Sequence, residues 1–286
     1  MNTNNNVYTV IYTTVVCVLV AAVLAFVSQS LKPRQEANEK AETISQILAA
    51  AQFDCAQMSN DEIIAFYKEN IASSKLVDAE GKTTDELDMA SAEVYSVSDL
   101  KKQNYNIKDG SKLADATLPV YVFNNGITVI PVYGAGLWGP VWGYVAFESD
   151  LETIKGAYFD HSGETPGLGG KIKDDPAFRE AFAGKKAIFG EGNPFNIVKG
   201  GAPAEMENGI DAITGATMTS KGVEDAINVW FEAYKPYLLA GAQAEAVEAE
   251  AAAECTEAIE AEEAAESTEA IEAEAAEESN GSNKEE

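Results

Sequence analysis

Twenty-one consecutive residues, Val7 to Val27, carry no charge. As an α-helix such a run is long enough to cross a hydrocarbon core of about 30 Å, so the chain is expected to open on a membrane span or a secretion signal. No basic stretch precedes the run, no Ala-x-Ala site follows it, and it is longer than the apolar stretch of an ordinary signal. A retained anchor over residues 1–35 fits these features better. Lys32 and Arg34 follow the span while no Lys or Arg precedes it, a bias that by itself points the rest of the chain toward the cytoplasm.

Behind the anchor the pattern stays helical from about Glu36 to Ile71. Ile44, Ile47, Leu48 and Ala51 share one face, and Ser59-Asn60 marks a break before a second helix through Ile63, Ile64, Phe66 and Tyr67. Residues 75–110 read as polar and irregular, with Gly81 and Gly110 as turn signals. We treat 36–116 as a helical and irregular region that packs on the domain C-terminal to it.

From Thr117 the period changes to two. Leu118–Phe123, the turn Asn124-Asn125-Gly126, and Ile127–Tyr133 read as strand, tight turn and strand, and Val141–Phe147 and Ile154–Asp160 add two more. A short helix is expected next, with Asp174 or Asp175 as its cap, Pro176 in its first turn and Gly184 past its end. Ala187–Gly190 and Phe195–Val198 are short strand candidates. Several strands against scattered helices argue for an α+β domain over 117–239 rather than a regular α/β alternation.

Past Leu239 the chain becomes Ala and Glu with little else, and Thr256-Glu-Ala-Ile-Glu-Ala-Glu recurs from Thr268. With almost no large apolar residues this segment, 240–286, is expected to be a solvated, disordered tail. The tail also explains most of the chain's charge: of a formal −27, residues 241–286 hold sixteen Glu and one Lys, which leaves −12 for the rest. So acidic a chain lacks the clustered Lys and Arg that phosphate contacts require, and nucleic acid is set aside as a partner. Three cysteines with no Cys-x-x-Cys spacing and a single histidine offer neither a disulfide framework nor a metal site. Redox chemistry in this chain would need a borrowed cofactor.

Three segments carry chemical interest. Gly134-Ala-Gly136-Leu-Trp-Gly139 matches the dinucleotide pattern Gly-x-Gly-x-x-Gly, but that fingerprint must open a helix. Here Pro140-Val-Trp-Gly-Tyr-Val follows, alternating like a strand, so the glycines are expected to form a loop presenting Leu137 and Trp138. Gly163-Glu-Thr-Pro-Gly-Leu-Gly-Gly170 is a second loop, either structural punctuation or a close approach of backbone to a flat ligand. His161, just before it, reads as a packed or surface side chain rather than a proton relay. The third segment, Asp211-Ala-Ile-Thr214-Gly215-Ala216-Thr217-Met-Thr219-Ser220, places hydroxyls before a helix. Ser220 is its expected cap, and Val223, Ala226, Ile227, Trp230, Phe231 and Tyr234 recur at helical spacing until Pro236. Free N–H groups at such a helix start favour an anion, although Thr and Gly there are also ordinary capping residues.

Together and in this order behind one span, these segments closely resemble the C subunits of sodium-translocating NADH:quinone reductases, over roughly residues 1–239. The related G subunits of Rnf electron-transport complexes share the second and third motifs, and the Gly-Leu-Trp-Gly-Pro-Val-Trp stretch tips the resemblance toward the quinone reductase. What the resemblance implies is an FMN-binding domain outside the bacterial cytoplasmic membrane, on the side opposite to the one the charge bias suggests. FMN would be attached covalently, through a phosphoester to Thr217, by a flavin transferase that reads Asp211, Thr214, Gly215 and Ala216. Trp138, Glu164, Thr165, Leu168 and Gly169 are the implied candidates for lining the isoalloxazine, and Lys199 for neutralising phosphate or ring charge. The chain would then relay electrons within a membrane complex of six subunits that oxidises NADH, reduces a quinone and moves sodium. A membrane-anchored binding module without redox activity is the reading that needs no cofactor.

Overall fold

The computed structural model describes residues 6–243. The apolar run does not end in a separate anchor: it is the first half of one continuous helix, α1 (Asn6–Ala50), with Pro33 inside it. Residues 7–38 of α1 are exposed apart from the half-buried Tyr8, and from Ala41 onward Ala41, Ile44, Ile47 and Leu48 are fully buried. The expected boundary between anchor and domain helix is thus a change of environment along one rod.

After a turn, α2 (Asn60–Asn70) starts at Ser59. Ser59 N–H and Oγ–H both donate to Glu62 Oε2, at 2.8 and 2.7 Å. β1 (Ile71–Val77) begins where the helical pattern was expected to end and runs into the stretch read as irregular, which contains β2 (Thr83–Glu86) and α3 (Val97–Lys108). Then come β3 (Leu118–Phe123), β4 (Thr128–Ala135), β5 (Pro140–Phe147) and β6 (Ile154–His161). The six form one antiparallel sheet in the order β2-β1-β3-β4-β5-β6, so the sheet draws strands from both sides of residue 116. α4 (Lys171–Asp174) and α5 (Pro176–Glu180) follow, and Asp175 caps α5 by accepting from Ala177 N–H. Residues 187–190 form no strand; just before them the chain meets the start of β6 through the bridge of Thr153 to Lys186 and the donation of Ile154 N–H to the Lys185 carbonyl at 2.7 Å. β7 (Asn196–Val198) pairs in parallel with β8 (Gly209–Asp211).

The last described helix, α6, runs from 217 to 243. It begins three residues before the expected cap and continues through Pro236, whose missing N–H costs one intrahelical bond without ending the helix. The rest of the expected acidic tail lies outside the described residues.

Alternation along the strands sorts side chains onto two faces. Val120, Ile130, Val132, Val145 and Phe147 pack with Val223, Ile227, Trp230, Phe231 and Tyr234 of α6. Tyr121, Val129, Tyr144 and Ala146 pack with Ile44, Ile47 and Leu48 of α1 and Ile63 and Tyr67 of α2. The sheet is therefore clamped between the anchor helix on one side and α6 on the other. An antiparallel sheet covered on both faces explains why β4 is buried from Thr128 to Gly134.

Candidate functional site

The three motif segments meet at one edge of this arrangement. The β4–β5 turn is closed by Gly136 N–H donating to the Gly139 carbonyl at 2.8 Å, and it carries Leu137 and Trp138 outward, the latter 70% exposed. The dinucleotide pattern is thereby accounted for as a hairpin. Its first glycine lets α6 come close, since a Cβ on Gly134 would lie 2.7 Å from that of Ala226. The 163–170 loop is folded on itself, with Leu168 and Gly170 N–H groups donating to the Thr165 carbonyl at 3.1 and 2.9 Å. His161 Nδ1 accepts from Glu164 N–H at 3.1 Å, so the imidazole anchors this loop. The third segment leaves β8, turns through Gly215 at φ 83°, and enters α6 at 217.

Glu164 ties the three together. It is only 4% exposed, and its Oε1 accepts from Trp138 N–H at 2.8 Å while Oε2 accepts from the Thr219 hydroxyl at 2.7 Å. Hydrogen bonds to a carboxylate are among the strong ones, and here they join residues far apart in sequence. The surrounding glycines leave room for it: a Cβ on Gly136 would sit 2.5 Å from Oε1, and one on Gly169 2.4 Å from Oε2 and 2.6 Å from Thr219 Oγ1. Glu164 and Gly169 are thus buried at the join of the segments, with both carboxylate oxygens engaged by the chain's own donors.

Thr219 and the expected cap Ser220 both do other work. Thr219 is the buried donor to Glu164, and Ser220 Oγ accepts from Ile213 N–H at 3.0 Å from within the first turn of α6. Thr217 stands exposed at the first position of that helix. The early N–H groups of an α-helix have no partner one turn back, and the dipole there favours negative charge. Around it Leu168 is 45% and Met218 62% exposed, and Leu168 Cδ2 lies 3.1 Å from where a Cβ of Gly215 would be. Exposed apolar side chains from three segments, Leu137 and Trp138, Leu168, and Met218, therefore rim the meeting point. Met218 carries no sequence signal of its own, because its exposure follows from the true helix start.

The other implied residues fall into two groups. Thr165 is exposed on the loop. Lys199 is exposed in the turn after β7, where Gly200 and Gly201 take φ values of 90° and 109°. Asp211 holds that turn, its Oδ1 accepting from Ala202 N–H at 2.7 Å while Val198 pairs with Asp211 across the strands. Asp211 and Thr214 also line a cleft of ≈ 550 Å³ with Lys171, Phe178, Lys185 and Pro203. The motif thus faces two surfaces, the apolar rim at its helix end and this cleft at its strand end.

The site accommodates a flat apolar group joined to an anion: an exposed rim of aliphatic and aromatic side chains lies next to a helix N-terminus and an accessible hydroxyl. Residues 136–232 match the FMN-binding domain family. The chain is 33% identical over 225 residues to the C subunit of the Na(+)-translocating NADH-quinone reductase of Vibrio vulnificus, covering 75% of this chain and 85% of the relative. To the same subunit of Neisseria meningitidis it is 43% identical over 115 residues, 40% of this chain and 44% of the relative. Among solved structures, that of the corresponding subunit from Parabacteroides distasonis superimposes with a TM-score of 0.60 at 32% identity, covering 73% of this chain and 96% of that one. Shewanella oneidensis NqrC gives a TM-score of 0.57 at 27% identity, over 72% of this chain and 98% of that one.

Proposed function

Because the chain belongs to the family of C subunits of Na(+)-translocating NADH-quinone reductases, we propose that it is an electron relay that bears FMN through a phosphoester to Thr217. The observation that carries this reading is the position of Thr217, an exposed hydroxyl at the first residue of α6, flanked by the tight Gly215 turn and the apolar rim. Bound FMN supplies the redox chemistry, accepting electrons from one partner and yielding them to another. The protein's part is to hold and surround it.

In this reading the first-turn N–H groups of α6 face the phosphate, where the helix dipole offsets its charge. Gly215 and Ala216 give a flavin transferase access to the hydroxyl, and Asp211 and Thr214 complete its recognition signal. Trp138 and Leu168 flank the ring, Thr165 borders it, and Glu164 and Gly169 keep the two loops at a fixed separation from α6. Lys199 adds positive charge from the adjacent turn. The partners are the other subunits of a membrane complex that passes electrons from NADH to a quinone and transports sodium. The apolar helix α1 anchors the chain in the bacterial cytoplasmic membrane, with the flavin domain on the periplasmic side.

The test is a denaturing gel of the full chain co-expressed with the flavin transferase and imaged for flavin fluorescence. A fluorescent band is expected for the wild type and none for Thr217→Ala. A band that survives the substitution, or none in the wild type, refutes the attachment.

A further inference from the structure

Asp160, at the end of β6, is a buried carboxylate that the proposed site does not touch, 3% exposed. Three donors converge on it: Lys173 Nζ and Gln46 Nε2 donate to Oδ2 at 2.7 and 3.0 Å, and His161 N–H donates to Oδ1 at 2.7 Å. Each donor belongs to a different part of the fold. Gln46 comes from α1, where its Oε1 also accepts from Trp142 Nε1–H at 3.2 Å. Lys173 lies in α4, directly after the 163–170 loop. His161 opens that loop and accepts from Glu164 N–H, and Glu164 in turn grips Trp138 and Thr219. The hydrogen bonds thus run in series from the anchor helix to the first turn of α6.

Burying a carboxylate is costly unless donors compensate it, and an apolar replacement would often serve stability as well. What an apolar residue would not supply is the direction of three simultaneous bonds. We propose that Asp160 is a positioning residue: it sets the 161–170 loop against the anchor helix and, through Glu164, fixes the edge that bears Thr217. The inference rests on reading that edge as the flavin site, and the two are separable by experiment.

The full chain, loaded by co-expression with the transferase, would be compared with Asp160→Asn, Gln46→Leu and Lys173→Met. Gel fluorescence reports attachment, which depends on the 211–217 segment and is expected to be unchanged in all three. Visible-region circular dichroism of the bound flavin reports ring placement, and hydrogen exchange of peptides spanning 161–170 reports the loop. We expect an altered flavin spectrum and at least tenfold faster loop exchange in Asp160→Asn, with Gln46→Leu shifting both in the same direction although Gln46 touches neither loop nor α6. A wild-type spectrum together with wild-type loop exchange in Gln46→Leu and Lys173→Met would overturn the proposal, even if Asp160→Asn fails to fold. Absence of a fluorescent band in every protein would defeat the attachment reading instead, and the loop exchange would still decide the role of Asp160.

Discussion

Gly169→Ala tests the joint around Glu164 most directly. The added methyl would sit 2.4 Å from Glu164 Oε2 and 2.6 Å from Thr219 Oγ1, astride the 2.7 Å hydrogen bond between them. Carbon–oxygen contacts settle near 3.3–3.6 Å, so both oxygens must retreat by roughly 0.9 Å. That displacement breaks the bond. Overpacking costs about 1–3 kcal/mol, and the loss of a hydrogen bond to a carboxylate about 1.5–3 kcal/mol, which gives about 2.5–6 kcal/mol together. For a domain of this size that corresponds to a fall in Tm of roughly 5–24 °C. Thermal unfolding of the full chain in detergent, followed by tryptophan fluorescence, measures it. Two companions identify the cause. Gly167→Ala meets no atom within 4 Å but sits at φ +74°, so it should cost only the backbone strain of about 1–2 kcal/mol. In Glu164→Ala the carboxylate is gone, so adding Gly169→Ala should cost little more, with a coupling above about 1 kcal/mol. Additive losses, or a Gly169→Ala Tm within about 2 °C of wild type, would refute the reasoning.

Two further outcomes concern the core and the half-buried ion pair of Lys173 with Asp160. Phe182 is fully buried, with its ring centroid 5.1 Å from those of Phe159 and Phe195 and 5.6 Å from that of Phe178; Phe182→Ala should lose about 3–5 kcal/mol in urea unfolding. Burial pulls the Lys173 ammonium down, but the hydrogen bond and charge of Asp160 outweigh it and leave its pKa above the ordinary value. The stability this pair contributes is therefore fully present below about pH 10.4 and is lost as pH rises through the higher folded-state value. The stability gap between wild type and Lys173→Met should hold constant from about pH 7 to 10 and close only above that; a gap that closes at lower pH would contradict the pairing.

Much of the sheet was readable because its strands obey period two and its β3–β4 hairpin carries an Asn-Gly turn, features that depend on near neighbours alone. β1 was hidden: Ile-Ala-Ser-Ser-Lys-Leu-Val does not alternate, and its place between β2 and β3 is a matter of long-range pairing. The same limit applies to the site. The Gly-rich loops and the Asp211–Thr217 motif could be found as separate strings, whereas the bond from Glu164 to Thr219 spans fifty-five residues and has no local trace. The helix start was misplaced because Ser220 looks like a cap in one dimension. In three dimensions its hydroxyl does serve a backbone N–H, that of Ile213, but from inside the helix. Pro236 misled for a related reason, since a long helix packed on a sheet can carry one proline.

The unbroken course of α1 has a mechanical consequence. With residues 7–27 in a bilayer, the fourteen residues 28–41 form a helical strut of about 21 Å, at 1.5 Å per residue. A flexible tether of that length would let the domain sample a broad volume around its attachment point. A strut confines it to a fixed height, leaving rotation about the helix axis and tilt, with Pro33, where one backbone N–H is missing, as the natural place to bend. Inserting a full turn of helix below Ala41 would lift the domain by about 5.4 Å at nearly the same orientation, whereas inserting two residues would swing it to the far side of the axis. Height and bearing are thus encoded separately in one element, as in the mast and heading of an instrument.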